Sequence, residues 1–139
     1  SQSYAVYLPS RYSPERTWPV ILAFDPRGRG RTPVERYQAA AEKYGYIVAG
    51  SNNSRNGPWA ISMKAAQEMT ADVTARFRID ARRVYTAGMS GGARVAMGVA
   101  LGTNLVAGVV ASSAGFPDSK PRKSVPFAVF GTAGTEDFN

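Results

Sequence analysis

The sequence predicts an α/β fold: one mostly parallel sheet with helices on both faces. Three observations carry this prediction. Strand-like and helix-like segments alternate from end to end. Several strand-like runs are apolar at every position, as strands buried on both faces are. The chain has 139 residues, 44% hydrophobic and 19% charged, the size and composition of one ordinary globular domain. Residues 1–139 are therefore read as a single unit, with no internal repeat or low-complexity tract.

Tyr4 to Leu8 reads as a short strand closed by Pro9, and Val20 to Phe24 as a strand buried on both faces. The second run stops at Asp25-Pro26 and enters the loop Arg27-Gly28-Arg29-Gly30-Arg31. A helix start follows, with Thr32 as N-cap, Pro33 at the first helical position and Glu35 completing a capping box. Val34, Tyr37, Ala41 and Tyr44 share one face, and Gly45 stops the helix. Tyr46 to Ala49 is the next buried strand, and Ser51 to Pro58 a loop rich in Asn, Ser and Gly.

Ile61, Ala65, Met69, Val73 and Phe77 recur every four residues, the apolar stripe of a second helix. Arg83 to Ala87 is a strand that leads directly into Gly88-Met89-Ser90-Gly91-Gly92. Small apolar residues from Ala93 to Leu101 make a helix that can sit close on a sheet. Val106 to Ala111 and Phe127 to Phe130 are two further strands, with Lys120 to Pro126 as a surface loop between them.

Composition removes several kinds of chemistry. There is no cysteine and no histidine, so disulfides, thiolate nucleophiles and the commonest metal ligands are excluded, and so is the commonest general base. Neither a cofactor nor a metal is expected. The net charge of +7 and the Arg/Gly loop invite a nucleic-acid reading, but the other basic residues are scattered and follow no recognition motif. Specific nucleic-acid binding is not expected; weak, salt-sensitive adhesion to polyanions is. No apolar run reaches the roughly 18 residues of a membrane span. Ser1-Gln2-Ser3-Tyr4 carries no leader signature, so a soluble chain is expected, compatible with a mature secreted or periplasmic protein.

The segment that carries chemistry is the serine turn. A Gly-x-Ser-x-Gly match arises by chance in roughly one such chain in eight, so the motif alone is weak. Its placement between a strand ending at Ala87 and a helix starting after Gly92 gives it a mechanism. A sharp turn there strains the serine backbone and presents Oγ above the sheet, while the flanking glycines let strand and helix close together. The backbone N–H of Gly91 then faces an oxyanion. A phosphate-cradling turn or a purely structural turn are the competing readings; no Walker or dinucleotide pattern accompanies it.

On these residues the chain resembles the α/β-hydrolase superfamily over nearly its whole length, in the style of its esterase, feruloyl-esterase and polyhydroxyalkanoate-depolymerase-like branches. The run from Ala87 to Ala93 looks like that family's nucleophile elbow. Phe24-Asp25-Pro26-Arg27-Gly28 stands in the place of its His-Gly-Gly-type oxyanion loop, with Asp25-Pro26 where many relatives have His-Gly. The resemblance implies Ser90 as nucleophile and the backbone N–H groups of Gly91 and Arg27 as oxyanion donors. It also implies an acid in the loop from Gly131 to Asp137. Asp137 is the first choice, with Glu136 and Asp118 behind it; the competing reading makes Asp137 a solvated loop carboxylate.

The family's catalytic histidine follows its last strand, and this sequence has none. The expectation is a truncated α/β-hydrolase core lacking the C-terminal strand and helix. A neutral lysine can serve a serine, but Lys43, Lys64, Lys120 and Lys123 have no motif link to Ser90. The expected partner is a small-molecule ester. Hydrolysis would be slowed by about 10⁴–10⁶ without its base, with promiscuous action on phosphoesters or phosphotriesters. The alternative is a non-catalytic binding or scaffold module that retains the fold. Asn52, Asn53, Asn56 and Trp59 belong to the rim where ligands bind; Trp59 either walls an acyl or aryl pocket or caps its helix and core. An exposed sheet edge is expected to draw the chain into a homodimer or higher oligomer.

Overall fold

Apolar runs become strands and striped segments become helices in the order the sequence sets out. The computed structural model of the chain describes residues 2–112 and 127–132. Its elements are β1 (Tyr4–Tyr7), β2 (Trp18–Phe24), α1 (Arg31–Tyr44), β3 (Ile47–Ser51), α2 (Trp59–Arg76), β4 (Ile79–Met89), α3 (Gly91–Leu101), β5 (Val106–Ser112) and β6 (Ala128–Thr132). The sheet order is β1-β3-β2-β4-β5-β6. β1 runs antiparallel to β3, and every other pairing is parallel.

Side-chain alternation splits the core into two layers. Ile47 and Ala49 of β3 join Val20, Leu22 and Phe24 of β2 on the face covered by α2 and α3. Val48, between them, joins Val34 and Ala41 of α1 on the opposite face. β2 is buried at all but one position and β3 at all five, which is why both read as continuous apolar runs. Each fully buried Val, Leu or Phe among them contributes about 1.5–3 kcal/mol. Among the described residues no helix is long and apolar enough to cross a membrane.

Several local expectations are corrected. α1 starts at Arg31, with Gly30 as its N-cap and no side-chain cap, so Thr32 and Glu35 form no capping box. Glu35 pairs instead with Arg31, 2.7 Å away, and Pro33 lies within the first turn, where its missing N–H costs nothing. The reason is tertiary. A Cβ on Gly30 would lie 2.0 Å from the Gly50 carbonyl oxygen, and the Gly30 N–H donates to Asn52 Oδ1 at 3.0 Å. Close approach to β3 therefore fixes where the helix starts. The α1 stop is as expected, with Gly45 left-handed at φ 76°. In α2 the stripe is buried at Ala65, Met69 and Val73, but Ile61 is exposed.

One surface clasp makes stability depend on acid pH. Glu42 of α1 accepts from the Ser10 hydroxyl, from Tyr7 Oη at 2.5 Å and from the Ser10 N–H at 2.7 Å. These bonds to the Ser10 hydroxyl, Tyr7 and the Ser10 amide, in that order, pull its pKa from 4.5 to about 2. Because the folded pKa lies below the unfolded one, the contribution is complete above pH 4.5 and vanishes as pH falls through about 2. Asp72, held low by Arg76 and then by Tyr4, acts in the same sense. Melting temperature is expected to fall across this window, and Glu42→Gln to flatten part of the fall. An unchanged pH profile in that variant would remove Glu42 from the account.

Candidate active site

The turn between β4 and α3 holds the one non-glycine residue with positive φ among the described residues. Ser90 sits at φ 53°, ψ −120°, a conformation that costs an L-residue about 1–3 kcal/mol. Its surroundings impose it. The Ser90 N–H donates to the Ser112 carbonyl at 2.7 Å, and its own carbonyl accepts from the N–H of Ala93 at 3.0 Å. One bond ties the turn to β5 and the other opens α3.

The flanking glycines are there because backbone passes against backbone. A Cβ on Gly88 would lie 2.2 Å from the Gly92 carbonyl oxygen, and one on Gly92 would lie 2.1 Å from the Phe24 carbonyl oxygen. Strand, turn and helix are thus packed at the limit that Cα atoms allow. Gly91 supplies the first amide of α3, which has no acceptor within the helix and lies at the positive end of its dipole.

The second candidate loop lies beside this turn for a topological reason. The chain runs from β2 outward to β3, then returns to β4 on the other side of β2, so the crevice between β2 and β4 is a switch point. Phe24 registers against Gly88 there, and Asp25 begins the adjoining loop. Asp25 Oδ2 accepts from the Arg27 N–H at 2.8 Å and the Arg29 N–H at 3.1 Å. Its carbonyl accepts from the N–H of Gly28, which turns at φ 71°. The Arg27 amide therefore already has an acceptor within its own loop, and it meets an oxyanion only if Asp25 yields it.

The Asn-rich loop has two roles. Asn52 and Asn53 are clasps: Asn52 bonds Ser3 through its backbone and side-chain amides, and Asn53 Oδ1 accepts from the Ser3 N–H at 2.8 Å. Asn56 reaches the site. Its N–H donates to the Pro26 carbonyl at 2.7 Å, and its side-chain amide lies over Gly91, with Oδ1 1.7 Å from where a Cβ there would be. Trp59 opens α2. Its ring packs on α3 at Gly98, and it walls a cavity of 260 Å³ shared with Arg55, Asn56, Ser62, Gly91 and Arg94.

Arg55 and Arg94 were not singled out by the sequence. Arg94 carried a usable signal, since it lies four residues beyond Ser90 on the following helix. A larger apolar groove of 540 Å³, on the α1 side among Tyr37, Tyr85 and Phe130, does not include Ser90 or Gly91. Asp137, Glu136 and Asp118 lie outside the described residues. Among the described residues no side chain bonds Ser90 Oγ, and no three acidic groups cluster as a metal site.

No protein-family model matches the sequence, and no curated protein matches it. Solved structures do. An S-formylglutathione hydrolase from Agrobacterium tumefaciens superposes with a TM-score of 0.65 at 20% identity, over 81% of this chain and 52% of that one. An acetyl xylan esterase from Aspergillus awamori gives 0.63 at 19% identity, over 78% and 45%. A poly(3-hydroxybutyrate) depolymerase from Bordetella parapertussis gives 0.63 at 17%, over 81% and 46%. The chain spans about half the length of these structures. The mostly parallel sheet, its antiparallel first strand and the strained turn after β4 thus belong to an α/β-hydrolase-like fold.

Proposed function

We propose that the chain is a serine hydrolase acting on small carboxylic esters, with Ser90 as nucleophile. The observation that carries this reading is the backbone of Ser90, the only non-glycine residue with positive φ among the described residues, held at a tightly packed strand-to-helix turn. Strain of this kind collects where a reacting group must be presented. The structural neighbours, among them a thermostable esterase, an S-formylglutathione hydrolase and a carboxylesterase, support the same chemical class.

In the proposed reaction Ser90 Oγ bonds to the ester carbonyl carbon, and the bond to the alcohol breaks. The alcohol leaves with the serine's proton, and water then releases the acid and restores the hydroxyl. The Gly91 N–H receives the oxyanion; the Arg27 N–H is the second donor once Asp25 gives it up. Asp137 is the proposed acid. With no histidine in these 139 residues, turnover is slow, and activated esters or phosphotriesters react best. The chain is expected to hydrolyse p-nitrophenyl acetate above background, with Ser90→Ala at background. Equal rates for the two proteins would sink the proposal. The alternative, a non-catalytic binding module, predicts that equality.

Self-association belongs to the same proposal. Among the described residues β6 is the outermost strand, and Val129 and Phe130 on it are 41% and 66% exposed. An unpaired, apolar edge is a template for a second copy. Light scattering is expected to give a dimer or larger species that Phe130→Lys shifts toward monomer; a monodisperse monomer of the unaltered chain contradicts it.

A further inference from the structure

Two backbone N–H groups converge on one carboxylate oxygen beside the elbow. Asp25 Oδ2 accepts from Arg27 at 2.8 Å and from Arg29 at 3.1 Å. Amides aimed together at one oxygen are what a developing oxyanion requires. Here a side chain of the same loop holds that place.

The loop adjoins the elbow at two points. Asp25, Gly88 and Met89 line one narrow hollow at the crevice between β2 and β4. Asn56 bridges the other side, with its N–H on the Pro26 carbonyl and its side-chain amide over Gly91. One residue thus reaches both the Arg27 loop and the first amide of α3.

The carboxylate is not what shapes the loop backbone. The Gly28 N–H donates to the Asp25 carbonyl at 3.2 Å, which closes a four-residue turn with Pro26 at its second position. Asn56 fastens the Pro26 carbonyl at 2.7 Å, and Asn52 Oδ1 accepts from the Gly30 N–H at 3.0 Å. None of these three bonds uses the Asp25 side chain. What the carboxylate adds is occupation of the Arg27 and Arg29 amides.

We infer that Asp25 is a positioning residue that restrains the reaction at Ser90, because it fills the oxyanion place of the Arg27 loop with its own carboxylate. Rotation or removal of that side chain turns the two amides over to an external oxyanion, from the substrate or from a small carboxylate. As a statement about rate this rests on Ser90 being the nucleophile. As a statement about what the amides bind it stands without that reading.

The catalytic arm of the test measures kcat/KM for p-nitrophenyl acetate. A fully aligned oxyanion donor is worth roughly 10²–10³ in rate, and Asp25→Ala is expected to recover part of this, a gain of about tenfold. Asp25→Asn loses the charge but keeps an oxygen for the two amides, so its gain is expected to be smaller. Sodium formate, against sodium chloride of equal ionic strength, is expected to refill the place and slow the alanine variant back toward the unaltered chain. A carboxylate that only holds the loop together predicts the opposite signs: a slower alanine variant that formate speeds up. That result overturns the inference, and so does an equal gain in the asparagine and alanine variants, which charge alone explains.

The non-catalytic arm follows backbone amide signals of the ¹⁵N-labelled Ser90→Ala chain during titration with formate. Saturable shifts of Arg27 and Arg29 are expected when Asp25→Ala is also present, and not when Asp25 is retained. Those shifts without ester turnover in any Ser90-containing chain support the occupied amides and overturn the nucleophile. Ser90-dependent turnover with no gain in Asp25→Ala, and no formate response at either amide, overturns the inference and leaves the nucleophile standing.

Discussion

Replacing Ser90 by glycine is expected to raise the melting temperature by roughly 3–5 °C while ending all covalent reactivity. The backbone at φ 53°, ψ −120° costs serine about 1–3 kcal/mol and glycine almost none. Part of that gain is returned, because glycine loses about 0.5–1 kcal/mol more backbone entropy on folding. The net expectation is about 1 kcal/mol of stabilisation. Ser90→Ala removes the same hydroxyl but keeps the Cβ and its strain, so its melting temperature should stay near that of the unaltered chain. Thermal unfolding of the three proteins side by side decides the point. A glycine variant less stable than the alanine variant would mean that the turn is not strained.

The second large effect separates the glycines of the elbow from one another. Gly92→Ala forces a Cβ to within 2.1 Å of the Phe24 carbonyl oxygen, and Gly88→Ala to within 2.2 Å of the Gly92 carbonyl oxygen. Those oxygens belong to packed backbone, so strand and helix must part, at an expected cost of about 3 kcal/mol or more each. Gly91→Ala meets only the end of the Asn56 side chain, which is exposed and free to swing away. It should cost under about 1 kcal/mol of stability. Chemical denaturation of the three variants is expected to order Gly91→Ala far above the other two. Three equal losses would contradict the packing described for the turn.

This contrast also shows what sequence reasoning can reach. Ser90 was legible because its motif is local, a strand, flanking glycines and a helix within a dozen residues, although Ser112 and Phe24 complete its setting. β2 and β3 were legible because burial on both faces leaves an apolar residue at nearly every position. β4 was only half legible. Asp80, Arg82 and Arg83 near its start are polar and bond to one another, so the sequence reading starts the strand four residues late.

What failed was set by parts of the chain distant in sequence. The start of α1 depends on Gly30 meeting Gly50 and on Asn52, and no spacing rule contains that. Asn52, Asn53 and Asn56 look alike in the sequence, yet two of them clasp Ser3 and one covers Gly91. Arg55 and Arg94 lay among scattered cations until a loop and a helix brought them to one cavity. The Arg27 loop was found in the right place, but the carboxylate that takes its amide is its own neighbour, Asp25.

The central claim is that Ser90 is a nucleophile presented by a strained turn and short of a base within these residues. Phosphonylation tests it most directly, since a fluorophosphonate is activated enough to react without fast proton transfer. Incubation with such a probe, followed by peptide mass spectrometry, is expected to give a single adduct on Ser90, absent from Ser90→Ala. No adduct, or adducts spread over other serines and tyrosines with Ser90 unmodified, would contradict the account.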